Sequence, residues 1–265
     1  MSLEKIKLTD QDYIIIDNNN PSGIDCGRIN QDGCLYLIDK VKMEALKLPK
    51  KYKAAAYYDD GGGLIMVSLL PRSLRFQYYD DFEWAAGLWG WMDMDGNEVI
   101  PPQYPYAYLS WNGKAVVCKG TWSVDDFGNY GCKNGQWGVI DLQNRTVVPF
   151  QYDEISEIWF SEQFLFCHKG GWPDGRCCII DIETGQEILE LDENIPAESY
   201  VSFKKGCLFF EYFEGDGDIS FLDVYRIEDK KQLVHHALLE DDDIIFGETT
   251  EFTINEDGKD ITVHL

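Results

Sequence analysis

Short apolar runs of four to seven residues, rich in β-branched and aromatic side chains, recur along this chain: Tyr13–Ile16, Leu35–Ile38, Leu64–Leu69, Ala115–Cys118, Phe164–Cys167, Leu208–Phe213 and Ile219–Tyr225. Clusters of Gly, Asn and Asp separate them, which is the pattern of strands joined by tight turns. No window holds a 3.6-residue period through several turns; the brief Lys40–Leu46 is the nearest approach to a helical candidate. The pattern predicts an all-β chain. The longest apolar stretch, near Leu64 to Leu70, is far too short to cross a bilayer as a helix.

The runs are not independent of one another. Leu88-Trp89-Gly90-Trp91-Met92-Asp93, followed by a Gly96 turn, Val99-Ile100-Pro101-Pro102 and Tyr104, recurs 48 residues later. The second copy reads Gln136-Trp137-Gly138-Val139-Ile140-Asp141, then Val147-Val148-Pro149 and Tyr152. Degraded copies place equivalent acids at Asp39, Asp181 and Asp223, and Leu48-Pro49-Lys50-Lys51-Tyr52 repeats the Pro-to-Tyr step. Units therefore begin near 34, 88, 136, 176 and 218 within one domain spanning 1–265, with Thr253-Ile254-Asn255 as a last echo. Each unit has a physical logic. A strand ends at Asp, whose carboxylate bonds backbone N–H groups ahead of it and starts a turn. A second strand then returns to Pro, which has no N–H for a ladder. Asn112-Gly113 and Asp257-Gly258 read as two-residue hairpin turns.

The stretches Trp89-Gly90 to Tyr104 and Trp137-Gly138 to Asp153 resemble the WG (KWG) repeat family of bacterial arrays. The resemblance implies a β-repeat architecture and no single activity. Its structural positions here are Trp89, Gly90, Asp93, Trp137, Gly138 and Asp141. Units of 40 to 54 residues are the size of propeller blades. The expectation is an all-β, β-propeller-like repeat protein with five or six small antiparallel blades, the alternative being an open superhelical β-array. The terminal segments, Tyr13–Ile16 with Thr250–Ile254 and Lys259–His264, are expected to pair with each other and close the ring.

Charge narrows the function classes. The 265 residues carry 23 Lys+Arg against 47 Asp+Glu, a formal charge of −24, with 45% hydrophobic residues. That balance disfavours nucleic acid and anionic membrane as partners, since both reward positive charge. Residues 1–75 are near neutral, with 11 basic and 10 acidic groups, whereas 76–265 hold 12 and 37. Lys40, Lys42, Lys47, Lys50, Lys51 and Lys53 form a local basic stretch. The opening Met-Ser-Leu-Glu-Lys-Ile-Lys has no apolar core behind its charges, so a cytoplasmic location is expected.

Candidate chemistry is sparse. Eight cysteines without CxxC spacing read as free thiols, and the adjacent Cys177 and Cys178 fall on opposite faces of a strand. His235-His236 likewise split between faces. The Asp93–Glu98 turn is too short for a calcium loop; Asp216 and Asp218, alternating with glycine, are the better metal candidates, although a hairpin loop also accounts for them. No nucleophile elbow, phosphate loop or zinc-protease motif occurs. Trp111, Trp122 and Trp172 fall in predicted loops, Trp122 within an insertion at 120–135, and suit partner binding. Glu240, Asp241, Asp242 and Asp243 form a concentrated acidic patch. The reading is a non-catalytic binding module of a bacterial cytoplasm, without cofactor, engaging a basic protein and immunity-like in its use of charge. A glycan-binding propeller is the alternative, and a carbohydrate-active enzyme with two converging carboxylates a weaker one.

Overall fold

In the computed structural model every regular element is a strand. It describes residues 3–264 except 19–23, 31, 58–62, 71–85, 112, 125–129, 159–160, 171–174, 192–194, 197–198, 215–218, 240–250 and 257–258. Two compact units divide the chain, Met1–Phe150 and Gln151–Leu265.

The first unit holds two antiparallel sheets. Strands β1 (Glu4–Lys7), β2 (Ile14–Asn18), β3 (Ile24–Ile29), β4 (Tyr36–Asp39) and β5 (Glu44–Lys47) form one, in the order β1-β5-β4-β3-β2. Strands β6 (Ala54–Tyr57), β7 (Ile65–Ser68), β8 (Ala86–Met92), β9 (Glu98–Trp111), β10 (Lys114–Val124), β11 (Tyr130–Asp141) and β12 (Thr146–Tyr152) form the other, in chain order. In the second unit β13 (Glu154–Glu157), β14 (Phe164–Lys169), β15 (Arg176–Asp181) and β16 (Gln186–Glu190) make a four-stranded sheet. The last sheet is a six-stranded meander of β17 (Tyr200–Lys204), β18 (Cys207–Glu214), β19 (Ile219–Arg226), β20 (Lys231–Leu239), β21 (Glu251–Glu256) and β22 (Lys259–His264).

The seven-stranded sheet is two four-stranded blades sharing one strand. The early part of β9 pairs with β8, Trp91 facing Ile100 and Trp89 facing Tyr104, and its later part pairs with β10 from Tyr106 onward. Elsewhere the chain breaks at this junction and starts a new sheet. Among the described residues there are thus five four-stranded blades, β2–β5, β6–β9, β9–β12, β13–β16 and β17–β20. The positions 34, 88, 136, 176 and 218 fall at third strands, so a sequence repeat begins halfway through a blade.

The recurrent acids explain the turns between third and fourth strands. Asp93 Oδ1 accepts from the backbone N–H of Asp95 and Asn97, at 3.0 and 2.8 Å. Asp141 does the same for Gln143 and Arg145, and Asp181 for Glu183 and Thr184. The Trp-Gly signature also acquires a cause. A Cβ on Gly90 would sit 2.4 Å from the Ile100 carbonyl oxygen and 2.5 Å from the Pro102 nitrogen; one on Gly138 would sit 2.7 Å from the Val148 carbonyl oxygen. The fourth strand lies against the bare glycine backbone while the neighbouring Trp89 and Trp137 are buried. The repeated tyrosines each reach ahead, within one unit, to the turn or fourth strand of the following sequence repeat: Tyr52 donates to Glu98 at 2.7 Å, Tyr104 to Asn144 at 2.6 Å and Tyr152 to Glu187 at 2.7 Å.

Several expectations change. Lys40–Leu46 is not helical: 40–43 turn and Glu44–Lys47 is β5. Side-chain bonding to Asp39 from the Val41 and Lys42 N–H groups selects the turn instead. Within its own unit β2 pairs with β3, and the β21–β22 hairpin extends β20. Asp223 is not the fifth turn acid. The backbone bond that follows each third strand runs from Leu142 to Gly113, from Ile182 to Gln163 and from Ile227 to Gly206. This aligns Asp141 and Asp181 with Arg226, which pairs with Asp229 three residues on.

Candidate functional site

The same alignment carries Gly138 onto Cys178 and Asp223, so the last blade has a carboxylate where the best-formed repeats need a bare backbone. Room for it comes from an irregular register: Leu222 pairs with Ala237 and Val224 with Val234, so the ladder skips Asp223. Asp223 is 1% exposed. An ion so deeply buried demands partners, and it has them. Oδ2 accepts the Tyr212 hydroxyl at 2.7 Å; Oδ1 accepts Gln232 Nε2 at 2.6 Å and lies 3.2 Å from His235 Nδ1.

His236 extends the network. Its Nδ1 is 2.9 Å from the Tyr212 hydroxyl, and its ring lies flat on Phe221 with centroids 4.2 Å apart. A positive φ of 47° at His236, within the stretch where the register slips, turns the ring there. Tyr212 has one proton, and Asp223 as a carboxylate accepts only, so Tyr212 donates to Asp223 and takes its second bond from His236 Nδ1–H. His236, Tyr212 and Asp223 therefore form a directed chain ending on a buried charge, while the half-exposed His235 side chain meets the same charge from solvent. The arrangement holds a carboxylate rigidly beneath two imidazoles.

In the first unit, a cleft of about 280 Å³ is floored by Leu37, Leu46 and Met94. Its rim is closed by the pairs Lys5–Glu44 and Lys42–Asp39, at 2.5 and 2.7 Å. The basic stretch is likewise neutralised: Lys40 pairs with Asp25, Lys47 with Asp32 and Lys51 with Glu98. The Tyr36 hydroxyl chiefly, with Lys47, holds the Asp32 carboxyl down to about 2 against the opposing effect of burial.

The residues singled out from sequence scatter. Trp111 ends β9 opposite Lys114, and Trp122 lies in β10 opposite Cys132; both are on paired strands rather than in loops, because the β10–β11 hairpin extends to the Val124–Tyr130 pair. Trp172, Asp216, Asp218 and the Glu240–Asp243 patch lie outside the described residues. Among the described residues no group of three or more His, Cys, Asp or Glu side chains is arranged to hold a metal. The Asp223 network was missed because Asp223 was counted as a turn acid and the two histidines were assigned to opposite faces. The signal lay in Asp229, an acid inside the turn three residues beyond the aligned Arg226, whose guanidinium it pairs with.

The geometry defines a class: an all-β repeat protein of four-stranded antiparallel blades sewn together by Asp turns, glycine contacts and tyrosine clasps. Residues 89–120 and 137–164 match the WG containing repeat. Both matched stretches begin on third strands, at Trp89 and Trp137. No curated protein matches the chain. Among solved structures it is similar to BamB from Moraxella catarrhalis, at 10% identity and TM-score 0.41, over 96% of this chain and 78% of that one. It is also similar to a eukaryotic initiation factor, at 10% identity and TM-score 0.46 over 91% of this chain, though it spans only 56% of that one. The uncharacterized protein lmo1340 from Listeria monocytogenes matches at 11% identity and TM-score 0.43, over 85% of this chain and 66% of that one.

Proposed function

We propose that this protein is a non-catalytic binding module of the bacterial cytoplasm whose acidic second unit engages a basic protein, in the manner of an immunity protein meeting a toxin. The observation that carries the reading is the partition of charge. Residues 151–265 hold 28 Asp+Glu against 8 Lys+Arg, a net of −20, while residues 1–150 hold 19 against 15. Glu162, Glu183, Glu190 and Glu228 are among the exposed acids of the second unit. A surface of one sign speeds encounter with an oppositely charged partner and makes it salt-dependent. Rigid sheets with fixed side chains suit recognition without a large ordering cost.

The test uses the full chain immobilised against cell extract at about 50 mM and 200 mM salt, within the range where screening changes steeply. Captured proteins should be basic and lost at the higher salt. Glu162→Lys/Glu228→Lys should weaken capture without changing the melting temperature. Salt-independent capture, or capture of acidic proteins, overturns the reading.

A further inference from the structure

Cys118 and Cys132 lie with their Sγ atoms 3.9 Å apart, and we propose that they form an oxidisable dithiol that closes to a disulfide in response to a peroxide. The proximity is built by the backbone. Cys118 pairs with Trp137 and Cys132 with Trp122, four residues apart on β10 and five on β11 of an antiparallel pair, a separation that a flat ladder keeps apart. Between them the register slips: Lys119 pairs with Gln136 and Thr121 with Lys133, so β11 carries one residue more than β10. Asn134, within that slip, has φ +54°. Such a bulge bends the strand and brings the two thiols together. Gly135 leaves the space between them open, since a Cβ there would lie 2.8 Å from Cys118 Sγ and 3.3 Å from Cys132 Sγ.

Access and order of reaction follow from burial. Of the eight cysteine thiols seven are buried, and Cys132 alone is part-exposed. Cys132 is thus the thiol a peroxide reaches. Its thiolate attacks one peroxide oxygen, the O–O bond breaks, and a sulfenic acid and hydroxide result; the Cys118 thiolate then attacks the Cys132 sulfur, forming the S–S bond and expelling hydroxide. With the two thiol protons the balance is two thiols and one hydrogen peroxide to one disulfide and two waters. Disulfide formation draws the two sulfurs from 3.9 Å to a bond of about 2.05 Å across the space that Gly135 leaves open. Burial pushes both thiols above their ordinary range, so the rate should rise about tenfold per pH unit near neutrality as the thiolate fraction grows. Cys167 and Cys178 also face each other across β14 and β15, but both are buried and serve as the internal control.

The native chain is treated with hydrogen peroxide, blocked with an alkylating agent, digested without reduction and mapped by mass. The expected product is one linked peptide pair joining Cys118 to Cys132, two hydrogens lighter than the reduced pair, with the thiol count falling from eight to six. Cys132→Ser should keep the remaining seven thiols reduced. Gly135→Ala, with folding checked by near-ultraviolet circular dichroism, should slow linkage at least about tenfold. Cys132 proceeding to sulfinic acid without a cross-link, linkage through another cysteine, or eight thiols surviving peroxide each overturns the proposal.

Discussion

Gly90→Ala tests the physical meaning of the Trp-Gly signature most directly. The new methyl would meet three backbone atoms of the adjoining strand, at 2.4 Å (Ile100 O), 2.5 Å (Pro102 N) and 2.7 Å (Pro101 C), where ordinary contact begins at 3.4 Å. The fourth strand must therefore retreat by about 1 Å, and Pro101 and Pro102, with φ fixed by their rings, cannot absorb the movement locally. Overpacking of this kind costs about 1–3 kcal/mol, and weakening of the Trp91–Ile100 pairing adds about 1 kcal/mol. Reduced freedom of the unfolded chain returns roughly 0.5–1 kcal/mol. The net is about 2 kcal/mol, or a fall in melting temperature of about 6 °C for a unit of this size. Calorimetry measures the fall, with Trp89 and Trp91 fluorescence in urea reporting the local blade. Gly33→Ala is the control: its φ is +75° but nothing lies within 4 Å of the added methyl, so only about 1–2 kcal/mol of left-handed strain is at stake. A Gly90→Ala melting temperature within about 2 °C of the parent, or a cost below that of Gly33→Ala, would refute the close-approach argument.

Acid should destabilise the fold in a defined window. Asp32, bonded chiefly by the Tyr36 hydroxyl, and Asp229, bonded chiefly by the Arg226 guanidinium, are both lowered to about 2, so their contribution is present above the unfolded value near 4 and lost as pH falls toward 2. A melting temperature unchanged between pH 5 and 2.5 contradicts this. Tyr212→Phe removes the hydroxyl shared by Asp223 and His236 and should cost about 2 kcal/mol in urea unfolding; a cost under about 0.5 kcal/mol means the buried carboxylate does not depend on it. Ser202→Ala should be neutral or stabilising by up to about 1 kcal/mol, because its wholly buried hydroxyl has no hydrogen-bond partner among the described residues; a marked loss of stability shows that the hydroxyl is satisfied.

The fold was legible where the cause is local. Asp93 and Asp141 bond N–H groups two and four residues ahead, so their turns are written in contiguous sequence, and Gly113 at φ +75° makes the turn that Asn112-Gly113 announces. Blade boundaries were less legible because the motif occupies the third and fourth strands, while the first two vary freely and the break before them depends on whether β9 or its counterparts stay continuous. Trp122 illustrates the opposite error. Gly, Asn and Asp around it suggested a loop, but cross-strand pairing from Lys114–Asp141 out to Val124–Tyr130 holds the segment extended. Such pairing is non-local, and single-residue preferences do not encode it.

The candidate site was illegible for a related reason, and that reason bears on where function can arise in such a chain. Gly90 and Gly138 are sealed by the backbone of the strand alongside, which leaves no space for chemistry. In the last blade the corresponding residue is Asp223, the turn acid has moved to Asp229, and the β19–β20 register slips to admit a carboxylate with Tyr212, Gln232 and His235 around it. The repeat pattern thus marks positions committed to packing, and departures from it mark positions released from packing. On that argument the degraded blades, which a motif search discounts, are the ones in which to seek function, and the net charge of −20 carried by residues 151–265 is concentrated in the same part of the chain.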